Sequence, residues 1–105
     1  MKNRNFLNIS DAFIYFARCN ISTIYELTSK STPQCRLGRQ ISIAYRMMRT
    51  AFDFGYANEE LLEDYRLAVS EALIKRPEMQ KWLQDRKELP PSAWLENDST
   101  YPVQS

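Results

Sequence analysis

The segment GRQISIAYRMMRTAFDFGY, residues 38–56, decides the fold class. Its apolar residues recur at spacings of three and four rather than two, which is the period of an α-helix. On a helical wheel of residues 36–54 they fill an arc of about 200°, into which only Gln40 intrudes. An arc this wide predicts a central helix that packs against neighbours on two sides.

Signals at both ends of the segment set the limits of this helix. Thr32 is a candidate N-cap, Pro33 suits the first helical position, and Gly55 suits the left-handed position after the last turn. These limits predict a helix over residues 33–54, about 33 Å long at 1.5 Å per residue. Gly38 weakens the first part by about 1 kcal/mol relative to alanine, so a later start is the alternative.

Helical spacing continues on both sides of the central helix. Ser10 is a good N-cap for a first helix, and Asn20 interrupts the apolar face of that helix, which favours a hinge between two short helices. Asn58 is the N-cap of a third helix with acids in its first turn. Pro77 then begins a fourth helix over roughly residues 78–89, which two prolines stop.

These segments predict an all-α protein: a compact single domain of three to four helices, with a long central helix and an extended C-terminal arm. The helical domain covers residues 1–89 and the arm residues 90–105. The chain of 105 residues is 44% apolar and 26% charged, which suits one globular domain that folds without a metal or disulfide. The arm carries Trp94 and Tyr101, and it either folds back on the helices or docks on a partner.

The polar edge of the central helix carries an unusual charge pattern. Its arginines are Arg39, Arg46 and Arg49, and Arg36 precedes them. Residues 30–52 contain no acid, whereas residues 53–64 contain five acids and no base. Three interpretations follow from this segregation. The arginines pair with those acids or stay solvated, they bind an acidic protein, or they bind nucleic-acid phosphates.

Residues 23–41, TIYELTSKSTPQCRLGRQI, faintly resemble a helix-turn-helix motif, in which a recognition helix follows a short turn. The usual glycine of the turn is absent, and Ser31, Thr32 and Pro33 stand in that region. The second helix would also be longer than the motif requires. This resemblance favours the nucleic-acid interpretation of the arginines.

The composition argues against catalysis. The chain has no histidine, two glycines and two cysteines. It therefore lacks the commonest general base, the glycines of a phosphate-binding loop and a zinc ligand set. We predict that the protein is not an enzyme and has no catalytic, cofactor-binding or metal-binding residues. No apolar run approaches the roughly 18 residues of a membrane span, and the free thiols suit a cytoplasmic location.

The favoured function is that of a small non-enzymatic regulator, adaptor or inhibitor that binds another protein with an acidic surface. The predicted partner-binding residues are Arg36, Arg39, Arg46, Arg49, Trp94 and Tyr101. The alternative is a dimeric helical nucleic-acid-binding protein that uses the same arginines on phosphates. Formation of a homo-oligomer is compatible with both, because a helix this apolar has more surface than one small domain can cover.

Overall fold

The computed structural model describes residues 8–30 and 32–95, apart from the side chain of Ala93. These residues contain five helices: α1 (Ile9–Ser29), α2 (Gln34–Asp53), α3 (Glu59–Lys75), α4 (Glu78–Asp85) and α5 (Ser92–Leu95). Between residues 8 and 95, with residue 31 left aside, no strand occurs, which confirms the all-α prediction. Within the same residues, no helix is long and apolar enough to cross a membrane.

The first helix holds the fold together, because α1 packs against both α2 and α3, which touch each other only marginally. α2 runs back along α1. α3 runs parallel to α1. Arg18 of α1 pairs with Asp64 of α3. Tyr25, which is further along α1, lies near Glu71, which is further along α3. α4 contacts both α2 and α3, and α5 packs on α3. The two short helices thus lie where α2 and α3 leave each other uncovered.

Apolar side chains from α1 to α4 form one core. Burying one large aliphatic side chain contributes roughly 1.5–3 kcal/mol, so these contacts dominate the stability of the fold. The largest fully buried side chains are Tyr65, Ile24, Leu37, Ile41, Met48, Leu61, Met79, Leu83 and Val69.

Two of the predicted helix ends are confirmed. The Asn58 side chain caps α3, because its Oδ1 accepts a hydrogen bond from the Leu61 N–H at 2.8 Å. Gly55 follows α2 with a φ of 76°, which is the left-handed conformation that glycine adopts without strain. α2 itself begins at Gln34, one residue after Pro33.

The prediction for the start and middle of α1 was wrong. The N-cap is Asn8 and not Ser10, because the Asn8 side chain accepts the Asp11 N–H at 2.9 Å. The helix is also continuous through Asn20, with no hinge. The reason is that Asn20 Oδ1 accepts a hydrogen bond from Gln40 Nε2 at 2.9 Å. The polar residue that interrupts the face of α1 therefore meets the one that interrupts the face of α2.

Gly38 lies inside α2 and does not delay its start. A Cβ atom at this position would lie 2.6 Å from the ring of Trp82, so the glycine allows α4 to pack closely on α2. α4 ends at Asp85 and not near residue 89. Lys87 has a φ of 58°, and this left-handed residue turns the chain away from the helix.

Part of the predicted arm is helical and not extended, because residues 92–95 form α5. Trp94 stacks on Phe52, with 5.1 Å between the ring centroids, and meets Tyr65 edge-on at 5.8 Å. This part of the arm therefore folds back on the helices. The remainder of the arm, including Tyr101, lies outside the described residues.

The helix-turn-helix resemblance of residues 23–41 does not describe the local structure. α2 continues for 20 residues and runs back along α1, which itself has 21 residues. The segment is therefore the middle of a hairpin of two long helices.

Candidate binding surface

Four exposed arginines lie along the outer side of α2: Arg36, Arg39, Arg46 and Arg49. We call these four residues the arginine stripe. At 1.5 Å per residue they span about 20 Å along the helix axis. The exposure of Arg39, Arg46 and Arg49 agrees with the polar edge that the helical wheel predicted.

The acids of α3 do not pair with the stripe. Glu60 and Asp64 pair with Arg18 of α1, at 3.5 and 2.9 Å. Glu63 pairs with Arg66 on its own helix. Three of the acids that follow the arginine-rich segment in the sequence thus pair with arginines outside the stripe.

Arg46 is the member of the stripe that pairs with a carboxylate in the described part of the chain. Its Nε donates a hydrogen bond to Glu88 Oε2 at 2.7 Å. The Arg46 side chain is 68% exposed, whereas that of Glu88 is only 15% exposed. The pKa of the Glu88 carboxyl is lowered, first by the nearby Ser42 hydroxyl and then, against the opposing effect of burial, by the Arg46 guanidinium.

The other three arginines of the stripe have no carboxylate within ion-pair distance among the residues the structure describes. Arg49 Nη1 donates to the Tyr45 hydroxyl at 3.2 Å, and this bond, followed by the field of Asp53, raises the pKa of the Arg49 guanidinium. The guanidinium groups of Arg36 and Arg39 make no hydrogen bond to the described residues. Three exposed guanidinium groups are therefore available to an external anion.

Two grooves border the stripe and adjoin each other at Arg39. The larger, of about 500 Å³, lies between α1 and the first half of α2, and its wall includes Leu27, Ile43 and Glu26. The smaller, of about 240 Å³, lies between α2 and the segment from α4 to Glu88. Apolar and charged groups thus stand side by side along α2, as is common in protein interfaces.

Arg86 adds a cation that the sequence reasoning missed. Its guanidinium carbon lies 3.6 Å from the centroid of the Trp82 ring, and its Nη1 donates to the Trp82 carbonyl oxygen at 3.1 Å. The residue four positions after a tryptophan on a helix lies over that side chain, which was the available signal. Arg86 lines the smaller groove, opposite Arg39.

Trp94 lies behind the stripe and supports it. Its ring contacts that of Tyr45, with 5.6 Å between the centroids, and the Tyr45 hydroxyl in turn accepts the bond from Arg49. A direct contact between Trp94 and a partner stays a prediction, as it does for Tyr101.

The described residues contain no group of three or more cysteine, aspartate and glutamate side chains that could hold a metal ion. Cys19 and Cys35 are exposed and free. No family model matches the sequence, and neither a curated protein nor a solved structure is significantly similar to it. A function has to be inferred from the chemistry of the surface.

Proposed function

We propose that this protein is a small non-enzymatic regulator, adaptor or inhibitor that binds an acidic segment of another protein along the arginine stripe. One observation supports this most strongly. Arg36, Arg39 and Arg49 are exposed on one side of α2 and have no carboxylate partner within the described chain. The planar guanidinium group binds carboxylates with two parallel hydrogen bonds, and arginine is enriched where binding energy concentrates.

The larger groove favours a protein partner over a nucleic acid. Its wall combines the carboxylate of Glu26 with apolar side chains. A nucleic-acid backbone presents phosphates, which Glu26 repels and which gain nothing from an apolar wall. A peptide can place isolated acids on the arginines and an apolar side chain against Leu27 and Ile43.

The test is a charge reversal with a matched control. Arg39→Glu with Arg49→Glu changes two exposed residues that lack carboxylate partners, so we expect the variant to fold. Its affinity for a fluorescently labelled peptide that carries spaced glutamates and one leucine, measured by anisotropy at low salt, should be lost. Lys75→Glu with Lys81→Glu makes the same change of net charge on α3 and α4 and should retain most of the binding. Each of these lysines pairs with an acid one turn away, so circular dichroism first has to show that this control is folded. Equal loss in both variants would show only a general effect of charge.

The same measurement with a short duplex DNA separates the nucleic-acid alternative. If the stripe binds phosphates, the logarithm of the affinity should fall with log salt at about −0.9 per phosphate contacted, or roughly −3 to −5 in total. Duplex binding with that slope, together with no binding of the acidic peptide, would refute the protein-binding proposal.

A further inference from the structure

One nitrogen of the Arg46 guanidinium is bonded within the fold and two are not. Nε donates to Glu88 Oε2 at 2.7 Å. Nη1 and Nη2 make no hydrogen bond to a described residue, and the side chain is 68% exposed. These two terminal nitrogens form the end of the guanidinium fork, which can bind both oxygens of a carboxylate. The two terminal nitrogens of Arg46 are therefore free, while its Nε is held by Glu88.

Glu88, the acceptor of the bond from Arg46, is held in place by the fold. The Glu88 side chain is 15% exposed and lies near the hydroxyl of Ser42, which is itself only 3% exposed. The Glu88 N–H donates to the Leu83 carbonyl oxygen at 2.9 Å, which ties the segment to α4. The left-handed Lys87 precedes it and directs the chain into this position.

The smaller groove holds more positive than negative charge. Arg39, Arg46 and Arg86 border it together with one carboxylate, that of Glu88. Arg86 is held over Trp82, and Arg39 has no partner in the described chain. The smaller groove has a volume of about 240 Å³, which leaves room for an acidic side chain of a partner.

We infer that the smaller groove is the anchor site for an aspartate or glutamate side chain of the partner, with Arg46 as the residue that binds it and Glu88 as the positioning residue that holds Arg46. This inference rests on the proposed function and adds to it the kind of partner residue that is bound. A guanidinium that is already fixed loses less conformational entropy on binding than a free one. Glu88 thereby aids the binding of an acid although it carries the same charge as the ligand.

Glu88→Gln tests this through the sign of its effect. The substitution removes a negative charge, so electrostatics alone predicts tighter binding of the labelled peptide with spaced glutamates. Positioning predicts the opposite, because the glutamine oxygen accepts at most a weaker, uncharged hydrogen bond from Arg46 Nε, and more of the Arg46 side chain must then be ordered during binding. We expect affinity to fall about two- to tenfold, the cost of ordering one long side chain.

Two variants and one spectroscopic measurement serve as controls. Asp85→Asn removes an exposed carboxylate that pairs with Lys81 and does not contact Arg46, and its binding should be unchanged or slightly tighter. Arg46→Lys keeps the charge but loses the fork, so it should weaken binding, and adding Glu88→Gln to it should weaken binding no further. The NMR order parameter of the Arg46 Nε–H bond should fall in Glu88→Gln, which measures positioning directly.

The outcomes separate the two proposals. If the wild-type protein binds the peptide and Glu88→Gln binds it equally or more tightly, the positioning role is overturned and the proposed function stands. If the wild-type protein does not bind the peptide, both are overturned. If Glu88→Gln unfolds, Arg46→Lys decides: undiminished peptide binding by that variant overturns the anchor role of Arg46.

Discussion

Replacing Gly38 with alanine should destabilise the protein, although alanine is the better helix former. In a helix interior the substitution by itself stabilises by about 1 kcal/mol. Here the new Cβ would lie 2.6 Å from Trp82 Cε3 and 2.7 Å from its Cδ2 and Cζ3. Carbon atoms in contact are usually about 3.5–4.0 Å apart, so the ring or the whole of α4 must move by about 1 Å.

The Trp82 ring is not free to make that movement. It packs against the core, and the Arg86 guanidinium lies over it at 3.6 Å. Overpacking of this kind costs roughly 1–3 kcal/mol, which exceeds or offsets the gain in helix propensity. We therefore expect Gly38→Ala to lower the free energy of unfolding by up to about 2 kcal/mol. Urea denaturation followed by circular dichroism measures the change.

The same substitution in a Trp82→Ala background is the decisive control. With the ring removed, the three atoms that lie nearest to the new Cβ are gone, and Gly38→Ala should stabilise by about 1 kcal/mol. The sign of its effect should therefore reverse, with a coupling of roughly 1–3 kcal/mol in a double-mutant cycle. Stabilisation by about 1 kcal/mol in both backgrounds would refute the steric explanation of this glycine.

Three further predictions concern stability, each measured by urea unfolding. Asn58→Ala should cost about 1 kcal/mol, because no other group of the described residues accepts the Leu61 N–H that its side chain caps at 2.8 Å, and an unchanged midpoint would contradict this role. Tyr65→Phe should be neutral or stabilising by about 1 kcal/mol, since the buried hydroxyl has no hydrogen-bond partner among the described residues; a clear loss would show that the hydroxyl is satisfied in solution. The pKa of the Glu88 carboxyl is lowered in the folded state from its usual 4.5, so its stabilising contribution is complete above that pH and is lost as the pH falls through the folded value. The difference in unfolding free energy between the wild type and Glu88→Gln should therefore shrink in acid, and a difference that stays constant would argue against this ion pair.

The elements that the sequence predicted well depend on local signals. Asn58 precedes two acids and an apolar stripe, which together indicate the start of a helix. Gly55 adopts a left-handed conformation without strain, which indicates the end of one. Both helix ends could therefore be predicted from a few neighbouring residues. The exposure of the arginine stripe followed from the period of α2 alone, because a wide apolar arc leaves a narrow outer edge.

The features that the sequence did not predict depend on contacts between distant residues. Asn20 indicated a hinge because its partner, Gln40, belongs to another helix. Gly38 indicated a late helix start because the ring that it accommodates lies on α4. The ion pair of Arg46 joins residues 42 positions apart, and no local pattern marks Glu88 as its partner. In each case the contact that explains the residue forms only when distant parts of the chain come together in the fold.

The way in which α2 and α3 share α1 bears on the order of assembly during synthesis. α1 leaves the ribosome before α2, which follows it after a short turn, so a two-helix intermediate can form before α3 has emerged. Because α2 and α3 hardly touch, α3 can then join a free side of α1 without displacing α2. Each arriving helix thus covers a further side of α1, and we expect the nascent chain to gain structure in steps that follow its own sequence.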